Sequence, residues 1–182
     1  IEVIAHHVLN SGDRAHPDTV VEYCRGAGER ALGLYAWRDA ARYYEAATAA
    51  AASVASLSVR DRAELHFRAG FSYYRDSDVG PALDHYGKAA GLFREAGDAP
   101  GLVMTEAERT RAQFSLASVP FGTLIDMKPL EEALGDLGRA SPELRGQALS
   151  IISQAYWHAR QPAKAVDAAT AAFKLGQQAE SA

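Results

Sequence analysis

The chain has 182 residues, 48% of them hydrophobic, and a formal net charge of −4. That is enough apolar material for one domain or one stack of repeats, while a pI near 5.9 leaves no basic excess to offset phosphates and argues against a nucleic-acid or anionic-membrane surface. The single cysteine, Cys24, rules out an internal disulfide, and no apolar run approaches the roughly 20 residues that span a bilayer, so a reduced, cytoplasmic setting is expected.

Alternation of Val, Ile and Thr is almost absent. Ala, Leu, Glu and Arg recur instead, with apolar residues at three- and four-residue steps, which is helical periodicity; the expected fold class is all-α. The opening phrase IEVIAHHVLN reads as a helix over 1–12, either the last helix of a preceding domain or a cap. Its start at Ile1, within a helical phrase and without an initiator Met, suggests a piece of something larger. Breaks then follow at Ser11-Gly12, Pro17, Ser58, Asp78 with Pro81, Gly97-Asp98 with Pro100, Pro120-Phe121-Gly122, Pro129, Ser141-Pro142 and Pro162, each with helix-start or helix-stop chemistry. Asp78 is placed to cap the helix after it. The breaks leave about four helix pairs, over approximately 17–54, 58–97, 98–140 and 141–178.

The pairs repeat. Ala40, Tyr44 and Ala47 superimpose on Ala82, Tyr86 and Ala89 at an offset of 82 minus 40, or 42 residues, and Gly28 then falls on Gly70. A third copy sets Ala165, Ala169 and Ala172 on the same ladder, with Tyr156 matching Tyr73 and Ser153 in place of the glycine. Between them, Leu130, Leu134 and Leu137 of KPLEEALGDL keep the rhythm after a longer connector. A glycine on one helix lets a second approach, alanines on the second make room, and the tyrosine fills the remaining space. Such a pair cannot bury its apolar face alone, so pairs stack.

In residues 63–96 the small residue at Gly70, the aromatic at Tyr73, and then Ala82, Tyr86 and Ala89 resemble the tetratricopeptide repeat. The resemblance extends over about 17–178, strongest in the second pair and weakest in the third. It implies antiparallel helix pairs stacked as a right-handed superhelix. The offsets of 42, then 130 minus 82, or 48, and 165 minus 130, or 35, exceed the family's 34-residue period and require longer helices or loops. The phrase IAHHVLNSGD followed by the first pair also resembles the junction after the nucleotide-binding module of large bacterial signalling ATPases. That likeness implies a repeat region of a transcriptional regulator, with the repeat regions of some adenylate cyclases and protein kinases as the alternative.

Chemistry-bearing constellations are few. His6 and His7 are adjacent and point about 100° apart on a helix, so they do not chelate from one face. His16, His66, His85 and His158 fall in separate segments without an H-x-x-x-H step. Gly26 and Gly28 of CRGAGER lack a preceding strand and read as helix crossing points, not as a phosphate loop. Glu131-Glu132 and Asp76 with Asp78 read as solvated or capping carboxylates. No catalytic residue, metal site or cofactor is expected, and the chain reads as a non-catalytic module.

Binding remains. The resemblance places Glu22, Arg25 and Glu29 of the first pair, Glu64, Phe67, Phe71, Tyr74 and Arg75 of the second, and Gln154, Trp157 and His158 of the last on a groove built from first helices. Aromatic and Arg side chains suit a peptide anchor, while packing between repeats is the competing role for Phe67, Phe71 and Tyr74. The Lys and Asn pattern by which chaperone-binding repeats clamp a carboxylate is missing. The expected partner is a protein or peptide ligand, or another domain of the parent, with neither nucleic acid nor membrane contacted directly. A homodimer through an exposed repeat edge and a small-molecule site with the PFGTLIDMKP loop as its lip are the other arrangements the pattern allows.

Overall fold

The computed structural model describes residues 16–115, 119–137 and 141–180. The expected helix over 1–12 and the His6-His7 pair lie outside them. The described residues form eight α-helices and no strand, so the fold is all-α. The chain divides into two compact units, the first ending at Ala96 and the second beginning at Gly97.

In the first unit α1 (Pro17–Gly33), α2 (Trp37–Ala51), α3 (Val59–Arg75) and α4 (Val79–Glu95) pack each on the next. Pro17 opens α1, where its missing N–H loses nothing. Ser58 caps α3, its Oγ accepting from Asp61 N at 3.0 Å. Asp78 stands at the N-cap position of α4, but its side chain makes no capping bond, so its capping role is corrected. Its backbone N–H is used instead, donating to Tyr73 O at 2.9 Å to close the preceding turn.

The glycine–tyrosine rule holds in both pairs of this unit. A Cβ on Gly28 would lie 2.7 Å from Tyr44 Cε2, and one on Gly70 would lie 2.9 Å from Tyr86 Cδ1 and 3.2 Å from Ala82 O. Tyr44 and Tyr86 are accordingly almost wholly buried, between Ala40 and Ala47 and between Ala82 and Ala89, all four fully buried. Each such aromatic contributes on the order of 2–3 kcal/mol of burial. Cys24 is buried with them, and desolvation pushes its thiol up to about 11, which keeps it protonated at neutral pH.

In the second unit α5 (Ala99–Phe114) packs on α6 (Lys128–Leu137) and on α7 (Pro142–His158), and α7 packs on α8 (Pro162–Glu180). Asp98 caps α5 through Gly101 N, 3.0 Å from its Oδ1. Leu130, Leu134 and Leu137, which keep the rhythm of the repeat, are buried on short α6. The last ladder departs from expectation: Ala165 and Ala168 are buried, Ala172 is half-buried, and Ala169 is exposed. The physical reason is that Ser153 has replaced the glycine and donates its Oγ to Ala165 O at 2.8 Å. With a hydroxyl bridging the helices and only a methyl at 169, no ring is drawn into the seam.

Three pairs also share their connecting turn. Tyr35, Ser77 and Arg160 are all left-handed, with φ of 59°, 67° and 57°. Each turn closes by a six-to-one bond, from Ala36 N to Ala31 O, Asp78 N to Tyr73 O and Gln161 N to Tyr156 O, at 2.9 Å in every case. This is the Schellman geometry, here carried by non-glycine residues.

Candidate functional site

The first unit has two layers. α1 and α3 share one side, where Arg25 Nη1 comes within 3.9 Å of Asp61 Oδ1. α2 and α4 share the other, joined by Glu45 and His85.

On the first-helix side, Arg25 and Glu29 pair with each other at 3.3 Å. With Asp18 and Glu22 they border a cavity of about 390 Å³ that has Val54 and Leu57 among its walls. Glu64 and Arg68 form a second i,i+4 pair on α3, at 2.7 Å. Toward the C-terminal end of α3, Phe71 and Arg75 join an aromatic cluster. The Arg75 guanidinium lies 4.9 Å from the centre of Trp37 and 6.0 Å from that of Phe71, and Tyr35 meets Trp37 edge-on at 5.4 Å. Asp61, Glu64, Arg68, Phe71 and Arg75 thus form one stripe along α3, at successive three- and four-residue steps.

Phe67 is different. It is buried against Tyr86, with ring centres 5.9 Å apart, so it belongs to packing and not to a groove surface. Tyr74 is half-buried. Trp37 was not anticipated, although its signal was in the chain: at that repeat position the other pairs carry Val79 and Pro162.

In the second unit Gln154 and Trp157 are exposed on α7. His158 is half-buried, packed by Phe114 at 6.3 Å and by Phe121 at 5.5 Å between ring centres, and its buried Nδ1 has no partner among the described residues. Phe121 comes from the connector, which Gly122 N ties to His158 O at 2.8 Å. A cavity of about 340 Å³ lies one to three turns earlier, between Met104, Glu108 and Arg111 of α5 and Gln147, Ser150 and Ile151 of α7. The connector loop is not among its walls, so it is no lip to this cavity.

Between the two layers of the first unit, from α2, α3 and α4, the fold assembles groups that sequence spacing keeps apart. Glu45 Oε2 lies 2.8 Å from His85 Nε2 and accepts from Tyr73 Oη at 3.2 Å. His85 Nδ1 in turn lies 3.0 Å from His66 Nδ1. The Tyr73 ring stacks on His85 at 5.7 Å, and His85 is only 4% exposed. Desolvation, then His85 and Lys88, depress the His66 imidazole to about 4, and burial with the neighbouring Glu45 carboxylate raises the Tyr73 phenol.

Among the described residues no group of three or more His, Cys, Asp or Glu is arranged to hold a metal, and no helix is long and apolar enough to cross a membrane. A scan against protein-family models and a search of curated proteins both find no match.

Proposed function

We propose that the chain is a non-catalytic helical-repeat module, of tetratricopeptide type, that binds a protein or peptide segment on the first-helix side of its pairs. The observation that carries this reading is Arg75. Its guanidinium is laid over Trp37 and Phe71, and its N–H donors engage no other described residue, whereas Arg25, Arg38 and Arg68 all face carboxylates. An Arg held by aromatic faces presents its donor edge already oriented. Such an edge suits a carboxylate, and the exposed Leu34 and Tyr35 alongside suit an apolar or aromatic side chain next to it in the partner.

The setting we propose is a bacterial transcriptional regulator, supported by the likeness of IAHHVLNSGD and the first pair to that junction. A partner that favours one spacing of α1 and α3 would bias the parent between states. A second reading, a small effector, is favoured by the cavity between α5 and α7, whose size is adequate for a small ligand.

A photoreactive phenylalanine at Tyr35 in the intact protein tests the first reading. The expected result is a discrete polypeptide adduct whose yield falls about tenfold with Arg75→Ala, as truncating an interface anchor does. No adduct, or one indifferent to Arg75→Ala, overturns it.

A further inference from the structure

One face of α8 is covered and another is not. Ala165 and Ala168 are buried on the helix that packs on α7, whereas Val166 and Phe173 are 63% and 66% exposed. Seven residues apart, these two lie within about 20° of each other around the helix. Ala169 and Thr170 fall between them and are exposed as well. α8 thus carries an uncharged stripe with a large apolar side chain at each end and small ones in the middle. Asp167 and Lys174 share the flank beside it, both exposed, and neither meets an opposite charge among the described residues. Also seven residues apart, they are separated by about 10 Å of helix rise, too far to pair with each other.

We propose that this face is the interface of a homodimer, in which α8 packs antiparallel on α8 of a second copy about a twofold axis between Ala169 and Thr170. The stripe is its own complement in that register, because 166 plus 173 equals 169 plus 170. Val166 of each copy then stands opposite Phe173 of the other, and the small residues meet at the crossing, where the helices come closest.

The charges select the same arrangement. A twofold axis across the helices brings the same flank of both together, so Asp167 stands opposite position 172 of the second copy. Lys174 of that copy is two residues further on, about 3 Å of rise, within reach of the carboxylate, and the symmetry makes this ion pair twice. In a parallel pairing Phe173 would face Phe173, and the charged flank of each copy would face the α7 side of the other. All four charges would then stay unpaired.

A single helix face per copy falls short of the roughly 800 Å² per partner of a standard interface, so the dimer is weak, with Kd on the order of 10–100 µM. At the few micromolar of a denaturation experiment the chain is monomeric, and the stripe serves assembly and not the stability of one copy. The interface does not depend on the binding proposal for the first helices.

Sedimentation equilibrium of the full chain, from about 2 to about 500 µM in about 50 mM salt, tests it. The expected result is a reversible monomer–dimer equilibrium. Phe173→Glu should raise Kd at least about 30-fold. Asp167→Lys and Lys174→Asp should each raise it about fivefold, and the two together should return it to within about twofold of the wild type. All three positions are exposed, so the variants keep the fold. A chain that stays monomeric throughout, or a dimer indifferent to Phe173→Glu, overturns the interface. Charge reversals that do not compensate each other overturn the antiparallel register.

Discussion

Gly28 and Gly70 sit in helix interiors, where glycine is intrinsically poor by about 1 kcal/mol relative to alanine. Their occupancy of those positions is explained by the rings that lie over them. A methyl at 28 or 70 would press within 3 Å of Tyr44 or Tyr86, and both rings are buried with nowhere to retreat. At 70 the Ala82 carbonyl adds a backbone obstacle. Gly28→Ala and Gly70→Ala are therefore expected to destabilise by about 1–3 kcal/mol despite better helix propensity. Gly87 and Gly91 of α4 have nothing within 4 Å of an added Cβ, and alanine there should stabilise by about 0.5–1 kcal/mol. Denaturant midpoints of the four variants check this; a stabilising Gly70→Ala would contradict the packing account. The tyrosine–glycine contact was readable because both partners recur at fixed spacing. The contact of His66 with His85 was not, because no repeat position predicts which polar side chains two stacked helices will bring face to face.

At the scale of the element, the turn between paired helices is the most regular feature of the fold. Tyr35, Ser77 and Arg160 occupy it at separations of 77 minus 35, or 42, and 160 minus 35, or 125, the same offsets that separate Ala40 from Ala82 and from Ala165. A left-handed conformation costs a non-glycine residue roughly 1–2 kcal/mol, partly offset by the smaller chain entropy it loses on folding. Ser77→Gly should therefore stabilise by about 0.5–1 kcal/mol, since the Ser77 side chain is exposed. Tyr35→Gly and Arg160→Gly should gain less, because each loses a ring contact, with Trp37 and with Phe121 respectively. Thermal melts of the three variants test the order. Sequence gave no sign of these turns through glycine, the usual mark of a left-handed helix end; repeat phase alone predicts that the three residues share one conformation.

For the molecule as a whole, what was legible is what repeats. The all-α class and the buried leucines of α6 follow from spacings that packing enforces, whereas the stripe on α3 was legible only in part: Glu64, Phe71 and Arg75 lie on it, Phe67 is instead buried against Tyr86, and Asp61 and Arg68 were not singled out. The Glu45–His85–His66 chain spans 40 and 19 residues, and it depends on how one pair stacks on the next, which local pattern does not encode. The same repeat phase also yields a contrast within each unit taken alone. Shifted by 125, Ala41 of α2 corresponds to Val166 of α8, and Thr48 to Phe173. Ala41 is buried, on a helix that packs against both α1 and α3, whereas Val166 is 63% and Phe173 66% exposed. Equivalent sequence positions therefore bear opposite burdens. Glu at 41 would place a carboxylate in a closed seam and should cost about 3 kcal/mol or more. Val166→Glu and Phe173→Glu should each change the stability of this chain by no more than about 0.5 kcal/mol. Chemical denaturation of the three variants separates the outcomes: a costly Val166→Glu would mean that the outward face of α8 is covered within this chain, and a neutral Ala41→Glu would mean that α2 is not held in the seam its burial describes.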